Sequence, residues 1–261
     1  MRFSRKQLGI PYAVFLICFV IAPLLVVLYY AFTNGQGQFT VQNFVNFFTS
    51  ENTIGTLAYS LVTAVTVTAC CTLVAYPVAY ILARSDIKKK NVLLVLFIAP
   101  MWINFTLRVV ALKEVLTVVE GNLAYHPFLN TVLGMTYDFL PFMILPLYTT
   151  LEKLDKSYLE AAADLGASPV ITFIKVTLPL SMPGLISGVT MVFLPSMTNY
   201  VILDMLYNST YIMGSLIGSY FHAYDWNSGS MISIVLLAII FLVTWATNGF
   251  SEEETTRGAF L

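Results

Sequence analysis

The residues that could perform chemistry are few in this sequence, and they lie far apart along the chain. Cys18, Cys70 and Cys71 sit in apolar runs without a CxxC or CxxH pattern, so we interpret them as buried small hydrophobic residues. His126 and His222 are distant in sequence from each other and from every cysteine. A P-loop for ATP is excluded because the chain has no Gly-Lys pair. We therefore predict no catalytic residue, no metal site and no cofactor bound by this chain.

Acidic and aromatic residues near the ends of apolar runs could instead bind a solute. An ionisable residue inside a membrane is costly and is therefore a functional candidate. Asp204 is the first choice for such a residue, and Asp138 is the second. Aromatic faces for cation–π contact and amide oxygens could come from Trp102, Tyr200, Asn104 and Asn199. This combination would suit a cationic amine, although each residue alone could equally be interfacial or solvated.

Arg108 complicates this interpretation, because it is a cation near the same ends of the apolar runs. It could pair with Glu114 or with Asp138. It could also anchor its helix to lipid head groups. The sequence leaves these three possibilities open.

The elements that carry these residues are predicted to be membrane-spanning helices. The chain is 58% hydrophobic and 10% charged, with a mean hydropathy of +0.79, whereas soluble domains carry about 25% charged residues. Lipid must therefore solvate much of its surface. Apolar stretches predict six spans at 10–32, 56–83, 91–112, 131–151, 184–206 and 230–248. We predict an all-α membrane protein with one transmembrane domain over 1–261.

The segments between the spans are predicted to be mostly irregular. Residues 33–55 and 207–229 are expected to form polar loops, and 114–130 an interfacial helix with a loop. The first span is interpreted as a retained signal anchor, because it is too long for the apolar region of a cleaved signal peptide. Proline occurs inside four of the spans, at Pro77, Pro100, Pro141, Pro146 and Pro195. Such kinks favour a transporter over a simple anchor, although ordinary packing also produces them.

The positions of lysine and arginine orient this arrangement. If the N-terminus is cytoplasmic, eleven of the thirteen basic residues fall on the cytoplasmic side, and only Arg108 and Lys113 fall on the other. This is the positive-inside distribution. It predicts a multi-pass membrane protein with both termini in the cytoplasm, even though the C-terminal tail is acidic at Glu252–Glu254.

A charged segment, 152–179, separates the fourth and fifth spans and is predicted to be a helical hairpin. Ser157 and Glu160 match the S-x-x-E capping box at the start of the first helix. Gly166 is expected to end that helix in a left-handed conformation. Ser168 and Pro169 are expected to begin a second helix, which Pro179 and Pro183 would end. The hairpin could dock a partner protein or merely connect two spans.

Several motifs resemble those of the permeases of ABC importers. Glu160-Ala161-Ala162, Gly166 and Leu178-Pro179 resemble their EAA motif, with Val176 where isoleucine is usual. The segments Glu152–Lys156, Pro100–Arg108 and Leu140–Tyr148 are similar to EKLDK, P-x-W-x-N-x-x-x-R and LPFM-x-x-PLY in the spermidine/putrescine branch of that family. The resemblance covers roughly residues 76–206. The first span and the C-terminal tail are much less diagnostic of this family.

The resemblance implies a fold, a function and partners. It implies six transmembrane helices with a coupling hairpin between the fourth and fifth, whose coupling residues are Glu160, Ala161, Ala162, Asp164 and Gly166. It implies two ATPase subunits that bind ATP and Mg, a second homologous permease and an extracytoplasmic substrate-binding protein. The implied function is polyamine uptake across the inner membrane, and nucleic acid is not an expected partner.

Other functions stay open at this point. The solute could be an amino acid, an iron complex or thiamine. A secondary transporter without an ATPase would leave the EAA-like hairpin unexplained. A membrane scaffold would not need so many prolines inside its spans.

Overall fold

A computed structural model describes the backbone of residues 5–85 and 87–258, and the side chains of 11–85 and 87–245. Within the described residues the chain is helical, and its one extended pairing is an isolated bridge between Thr33 and Phe39. The α-helices are α1 Arg5–Leu16, α2 Ala22–Ala31, α3 Gln42–Thr49, α4 Glu51–Arg84, α5 Lys90–Ile98, α6 Phe105–Glu120, α7 Pro127–Lys153, α8 Ser157–Asp164, α9 Pro169–Thr172, α10 Leu178–Thr198, α11 Tyr200–Met205, α12 Met213–His222 and α13 Trp226–Gly258. The shorter helical turns are Ile17–Ile21 and Phe173–Thr177, which are π-helical, and Ala99–Trp102 and Leu123–Tyr125, which are 3₁₀.

Some sequence predictions concern residues that lie outside those described by the structure. The side chains of Arg2, Arg5 and Lys6 at the basic N-terminus lie outside the described residues, as do those of the acidic tail Glu252–Glu254. The cytoplasmic placement of the two termini therefore stays a prediction, and so does the single transmembrane domain over 1–261.

The prediction of an all-α membrane fold is confirmed. In the described part of the chain, five helical segments are long and apolar enough to cross a membrane: Pro11–Ala31, Glu51–Arg84, Pro127–Lys153, Pro169–Thr198 and Trp226–Trp245. A sixth span exists only if the bent pair Lys90–Trp102 and Phe105–Glu120 counts as one. With the bent pair counted as one span, the number of spans agrees with the six that the sequence predicts, but their boundaries differ.

The third predicted span, 91–112, is not a continuous helix. Its two halves meet at an angle of 101°. Pro100 lies in the 3₁₀ turn at the bend, where its missing N–H breaks the helical bonding. Asn104 then begins α6, because its Oδ1 accepts the N–H groups of Thr106 and Leu107 at 2.9 and 3.4 Å. The predicted use of this amide oxygen for a solute conflicts with that capping role.

The fifth predicted span, 184–206, is wrong at both ends. Pro179 and Pro183 do not end a helix, because one helical segment continues from Pro169 to Thr198. The π-helical turn Phe173–Thr177 leads into α10, and Pro179 falls in the first turn of α10, where a missing N–H is tolerated. Asn199, with ψ of 80°, then separates α10 from the short helix α11.

The predicted loops also contain helices. Residues 33–55 hold α3 and the start of α4, and 207–229 hold α12 and the start of α13. In α3 the buried side chain is Phe47, which gives this short helix one anchored face. Polarity alone suggested loops here, whereas a single buried ring is enough to hold a two-turn helix against its neighbours.

The chain forms two compact units, one from residues 1–58 with 213–241 and the other from 59–212 with 242–261. In the second unit α7 is the most buried span, and α10 packs along it. Gly184 and Gly188 on α10 permit this approach, since a Cβ at Gly184 would lie 2.7 Å from the carbonyl oxygen of Pro146. Gly134 on α7 similarly admits Leu206, which a Cβ there would meet at 2.6 Å.

Candidate functional site

The predicted glycine break in the hairpin is confirmed. Gly166 has φ of +76°, the left-handed conformation that glycine adopts most cheaply. Its N–H donates to the carbonyl of Ala163 at 2.9 Å, and the N–H of Ala167 donates to that of Ala162 at 3.0 Å. These two bonds form a Schellman motif, which satisfies the last carbonyl groups of α8. The chain therefore turns sharply directly after α8.

The predicted capping box at Ser157 is wrong. Ser157 is the first residue of α8, and its N–H donates to Oδ1 of Asp155 at 3.0 Å. The N–H of Glu160 donates to the carbonyl of Lys156 and not to a serine hydroxyl. Asp155 caps the start of α8 instead, because its carboxylate lies two residues ahead of the first free N–H, which is the geometry of an Asx turn. The same hydrogen bond holds the pKa of Asp155 below its usual value of 3.8.

The second arm begins as the sequence predicts. Ser168 precedes α9 in an extended conformation, and its hydroxyl accepts the N–H of Ile171 at 3.4 Å. Pro169 occupies the first helical position, where no N–H is required. A short α-helix and a π-helical turn then continue into α10.

Four of the five predicted coupling residues are exposed on this hairpin. Glu160, Ala161, Asp164 and Gly166 face solvent, whereas Ala162 is buried where α8 contacts α9 and the π-helical turn. Two apolar side chains beside them are exposed as well: Leu165 at 89% and Tyr158 at 54%. Small side chains flanked by exposed apolar ones form a surface that a partner could approach closely.

The base of the hairpin is bonded to three helices. Glu152, in the last turn of α7, pairs with Lys90 at the start of α5 at 3.1 Å. The Tyr148 hydroxyl donates to the same carboxylate oxygen at 2.7 Å. Arg84, the last residue of α4, donates through Nη1 to the carbonyl of Leu154 at 3.1 Å. The loop that enters α8 is therefore fixed to the ends of α4, α5 and α7.

The second arm is held by aromatic packing. Phe173 meets the rings of Tyr76 and Tyr80 edge-on, with centroids 5.5 and 5.6 Å apart. Tyr76 also shares a hydrogen bond of 2.6 Å with the hydroxyl of Ser181 on α10. Such T-shaped contacts add about 0.5–1.5 kcal/mol each to the burial of the rings. A displacement of the second arm would thus act directly on α4.

Asp138 is not an open carboxylate in this structure. Arg108 on α6 pairs with it through Nη2 and Oδ1 at 2.6 Å, and the two side chains are only 7% and 3% exposed. Of the three possibilities for Arg108, the structure therefore selects the pair with Asp138. The Nε and Nη1 atoms of Arg108 are buried without a hydrogen-bond partner in the described part of the chain. An ion pair left partly unsatisfied in this way is costly to keep.

The other predicted pathway residues are accessible but scattered. Tyr200 and Asp204 are exposed and lie four residues apart on α11, so they share one face of that helix. Asn199 directly precedes them at the break before α11. Trp102 is 76% exposed, and the structure records no ring contact between it and Tyr200 within the described residues. Of the predicted set, only the residues of α11 and its N-terminal break are brought together.

Two polar groups beside α11 were not predicted. The Lys113 ammonium lies 4.3 Å from the centre of the Tyr207 ring and 3.0 Å from its hydroxyl. Asn208 is buried, and its Nδ2 donates to Tyr59 at 2.9 Å and to Oγ1 of Thr131 at 2.8 Å. No periodic pattern marks these residues in the sequence, because their partners come from other helices. Within the described residues, no group of three or more His, Cys, Asp or Glu side chains could hold a metal ion.

Comparisons with known proteins identify the family. Residues 75–251 match the family described as binding-protein-dependent transport system inner membrane component. The permease protein PotB of the spermidine/putrescine transport system of Haemophilus influenzae is 35% identical over 275 aligned residues, covering 95% of this chain and 94% of that protein. PotB of Escherichia coli strain K12 is also 35% identical, over 217 residues that cover 76% of this chain and 79% of that protein.

A solved structure supports the fold. A chain in the crystal structure of a bacterial alginate ABC transporter, in complex with a periplasmic protein bound to an alginate pentasaccharide, superposes with a TM-score of 0.72. It covers 95% of this chain and 93% of its own, at 13% identity, so the likeness concerns the fold alone. The chain therefore belongs to the family of binding-protein-dependent inner membrane components and is a multi-pass, non-catalytic permease subunit of an ABC importer, whose ATPase is a partner protein.

Proposed function

We propose that this permease subunit imports polyamines such as spermidine and putrescine. One observation carries the proposal: the Haemophilus relative, 35% identical across 95% of this chain, is a permease of a spermidine/putrescine transport system. The exposed carboxylate of Asp204, one helical turn from the exposed ring of Tyr200, supports it. An alkylammonium ion gains from both groups, through charge pairing and through about 0.5–2 kcal/mol of cation–π attraction.

The proposed pathway is centred on α11. Asp204, Tyr200 and Asn199 form its core, and the exposed Trp102 adds a further aromatic face. Asp138 contributes only in a state in which Arg108 has moved away, since that pair is closed here. Asn104 contributes its oxygen only in a state in which the cap of α6 is released, since that oxygen accepts backbone N–H groups here.

The proposed orientation places the hairpin in the cytoplasm. The basic residues near it are Arg84, Lys88, Lys89, Lys90, Lys153, Lys156 and Lys175. Only Arg108 and Lys113, both on α6, are assigned to the opposite side of the membrane. This asymmetry follows the positive-inside rule and supports the placement of both termini on the cytoplasmic side. The 1–261 chain is proposed to act as one transmembrane domain.

The proposed assembly contains two ATPase subunits that bind ATP and Mg, a second homologous permease and a dedicated polyamine-binding protein. The exposed face of α8, including Glu160, Ala161, Asp164 and Gly166, would enter a cleft on an ATPase subunit. Ala162 would act from the buried side, by holding α8 against the second arm. ATP-driven movement of that cleft would then reach α4, α5 and α7 through the bonds at the base of the hairpin.

Charge reversal at Glu160 tests the coupling part of the proposal. Glu160→Lys should reduce co-purification of the ATPase subunits and abolish uptake, because the reversed charge lies on the docking face. Glu114→Lys is a matched control, since it reverses an equally exposed helical carboxylate on α6, far from α8 in the sequence. Equal assembly and uptake in the two variants would contradict the docking of α8.

The substrate part is tested by uptake in cells that lack other polyamine importers. Labelled spermidine and putrescine should accumulate, and unlabelled amino acids, iron complexes and thiamine should not compete. Asp204→Asn should raise the KM for polyamines about ten-fold, the effect of losing one charge-assisted contact worth about 1.4 kcal/mol, while Glu114→Gln should leave it unchanged. Competition by thiamine or an amino acid would instead identify a different solute, and an unaltered KM would remove Asp204 from the pathway.

A further inference from the structure

A polar cavity of about 340 Å³ lies within the unit formed by 1–58 and 213–241. Its walls come from α3, the start of α4, the end of α12 and the start of α13. We call it the acidic cavity, because Asp225 is the one charged side chain among its described lining residues. None of the residues predicted for coupling or for the pathway contributes to it.

Asp225 combines a structural role with an open negative charge. Its Oδ1 accepts the N–H of Ser228 at 3.0 Å and so caps the N-terminus of α13. No lysine, arginine or histidine forms an ion pair with Asp225 in the described part of the chain. The cavity thus holds a carboxylate without a cation of its own.

Asn43, another lining residue, offers an acceptor whose amide orientation is fixed. The Nδ2 of Asn43 donates to the carbonyl oxygens of Ala31 and Thr33 at 3.1 and 2.9 Å. Because both amide hydrogens are used in this way, the Asn43 oxygen is an acceptor for whatever enters the cavity. The hydroxyl of Thr53 also lines the cavity. Phe47 and Met231 add apolar surface to the lining.

We propose that the acidic cavity binds one ammonium group of an aliphatic amine, as a site separate from the proposed pathway around Asp204. The carboxylate of Asp225 pairs with the ammonium, the amide oxygen of Asn43 accepts one of its hydrogens, and the methylene chain lies against Phe47 and Met231. An ammonium has three donors and no acceptor, which matches a lining that offers a carboxylate and oriented oxygens. An anion is disfavoured by the same carboxylate.

The site deepens the proposed function and rests on it for its physiological ligand, a polyamine. With the N-terminus in the cytoplasm, the segments 33–50 and 206–225 are extracytoplasmic. The acidic cavity would then hold an amine on the side from which the binding protein delivers it. A volume of 340 Å³ is at the lower end of small-molecule sites, which suits a short aliphatic diamine.

Asp225→Asn is the direct test, because asparagine caps a helix as well as aspartate does and removes only the charge. Glu51→Gln is the matched control, since it removes the same charge from the start of α4 without lining the cavity. The assembled importer in nanodiscs, without the binding protein, is titrated with labelled 1,4-diaminobutane, and 1,4-butanediol serves as the uncharged competitor. The diamine should bind with a component that weakens about ten-fold in Asp225→Asn and is unchanged in Glu51→Gln, and the diol should not compete.

A second variant covers the case in which Asp225→Asn lowers stability. Asn46→Trp, at an exposed position of α3 on the rim of the cavity, should block the same binding component without touching the cap of α13. Diamine binding that is indifferent to both variants would overturn the site, even if polyamine uptake is normal. Asp225-dependent diamine binding in an importer that does not transport polyamines would keep the site and refute the proposed function.

Discussion

Replacement of Gly184 by alanine probes a close contact between α10 and α7. A Cβ at this position would lie 2.5 Å from Oγ1 of Thr150 and 2.7 Å from the carbonyl oxygen of Pro146, both on α7. The threonine hydroxyl can rotate away, but the carbonyl is backbone. Restoring an ordinary contact of about 3.4 Å therefore requires α10 to move away from α7 by about 0.7 Å.

The expected cost follows from that displacement. Gaps of about 0.5–1 Å forfeit a quarter to a half of the dispersion energy between the atoms concerned, and overpacking of a well-packed interior costs about 1–3 kcal/mol. Alanine recovers about 0.5–1 kcal/mol of helix propensity relative to glycine. The free energy of unfolding should therefore fall by roughly 1–2 kcal/mol.

Gly55→Ala is the matched control, because a Cβ at Gly55 on α4 meets nothing within 4 Å. It shares the gain in helix propensity and lacks the clash, so it should raise the free energy of unfolding by about 0.5–1 kcal/mol. Both variants are unfolded reversibly in mixed micelles with increasing dodecyl sulfate, followed by far-UV circular dichroism. Midpoints that shift alike in the two variants would refute the close approach of α10 to α7.

Two further predictions concern charged groups. Arg108→Met should destabilise the permease by about 3–5 kcal/mol, because it leaves the buried Asp138 without a partner. The double variant Arg108→Met with Asp138→Leu should recover most of that loss. A double variant that is no more stable than the single one in the same unfolding assay would argue against the pair. The lowered pKa of Asp155 means that its cap stabilises α8 above the usual value of 3.8 and is lost as the pH falls through the lowered pKa. Protease cleavage within the hairpin should therefore rise at low pH in the native chain and be independent of pH in Asp155→Asn, and equal pH profiles would contradict the cap.

Local features of the hairpin were predictable because their causes lie within a few residues. Gly166 ends α8 since only a residue that tolerates positive φ can close a Schellman motif there. Ser168 and Pro169 begin α9 for a similarly local reason. The cap at the start of α8 was predicted wrongly, because the side chains of Asp155 and Ser157 could each accept a free N–H. The spacing between the side chain and the first free N–H of the helix decides in favour of Asp155.

The breaks within the spans were not predictable in the same way. A proline in an apolar run can kink a helix, end it or lie harmlessly in its first turn, and the sequence around Pro100 and Pro179 does not distinguish these outcomes. Pro100 breaks its helix because Asn104 is available to cap a new one. The helical segment continues through Pro179 because a π-helical turn precedes it, and such turns have no sequence signature.

Contacts between helices are the features that the sequence predicts least well. Arg108 could have paired with Glu114, six residues further along the same helix, or with Asp138 on α7. The choice depends on the faces that α6 and α7 present to each other, which composition does not specify. For the same reason the acidic cavity was missed: Asn43 and Asp225 are separated by most of the chain and meet only through packing within their unit.

The bonding of the hairpin supports one of the two interpretations that the sequence left open. A segment that only joins α7 to α10 needs contacts with those two helices and no exposed apolar surface. This hairpin instead leaves Leu165 exposed at its tip, while its base is bonded to α4 through Arg84 and to α5 through Lys90. A force applied to α8 would therefore act on helices that are not its neighbours in the chain, which is what a coupling element requires and a connector does not. This bonding supports the proposal that the ATPase moves this subunit through the hairpin.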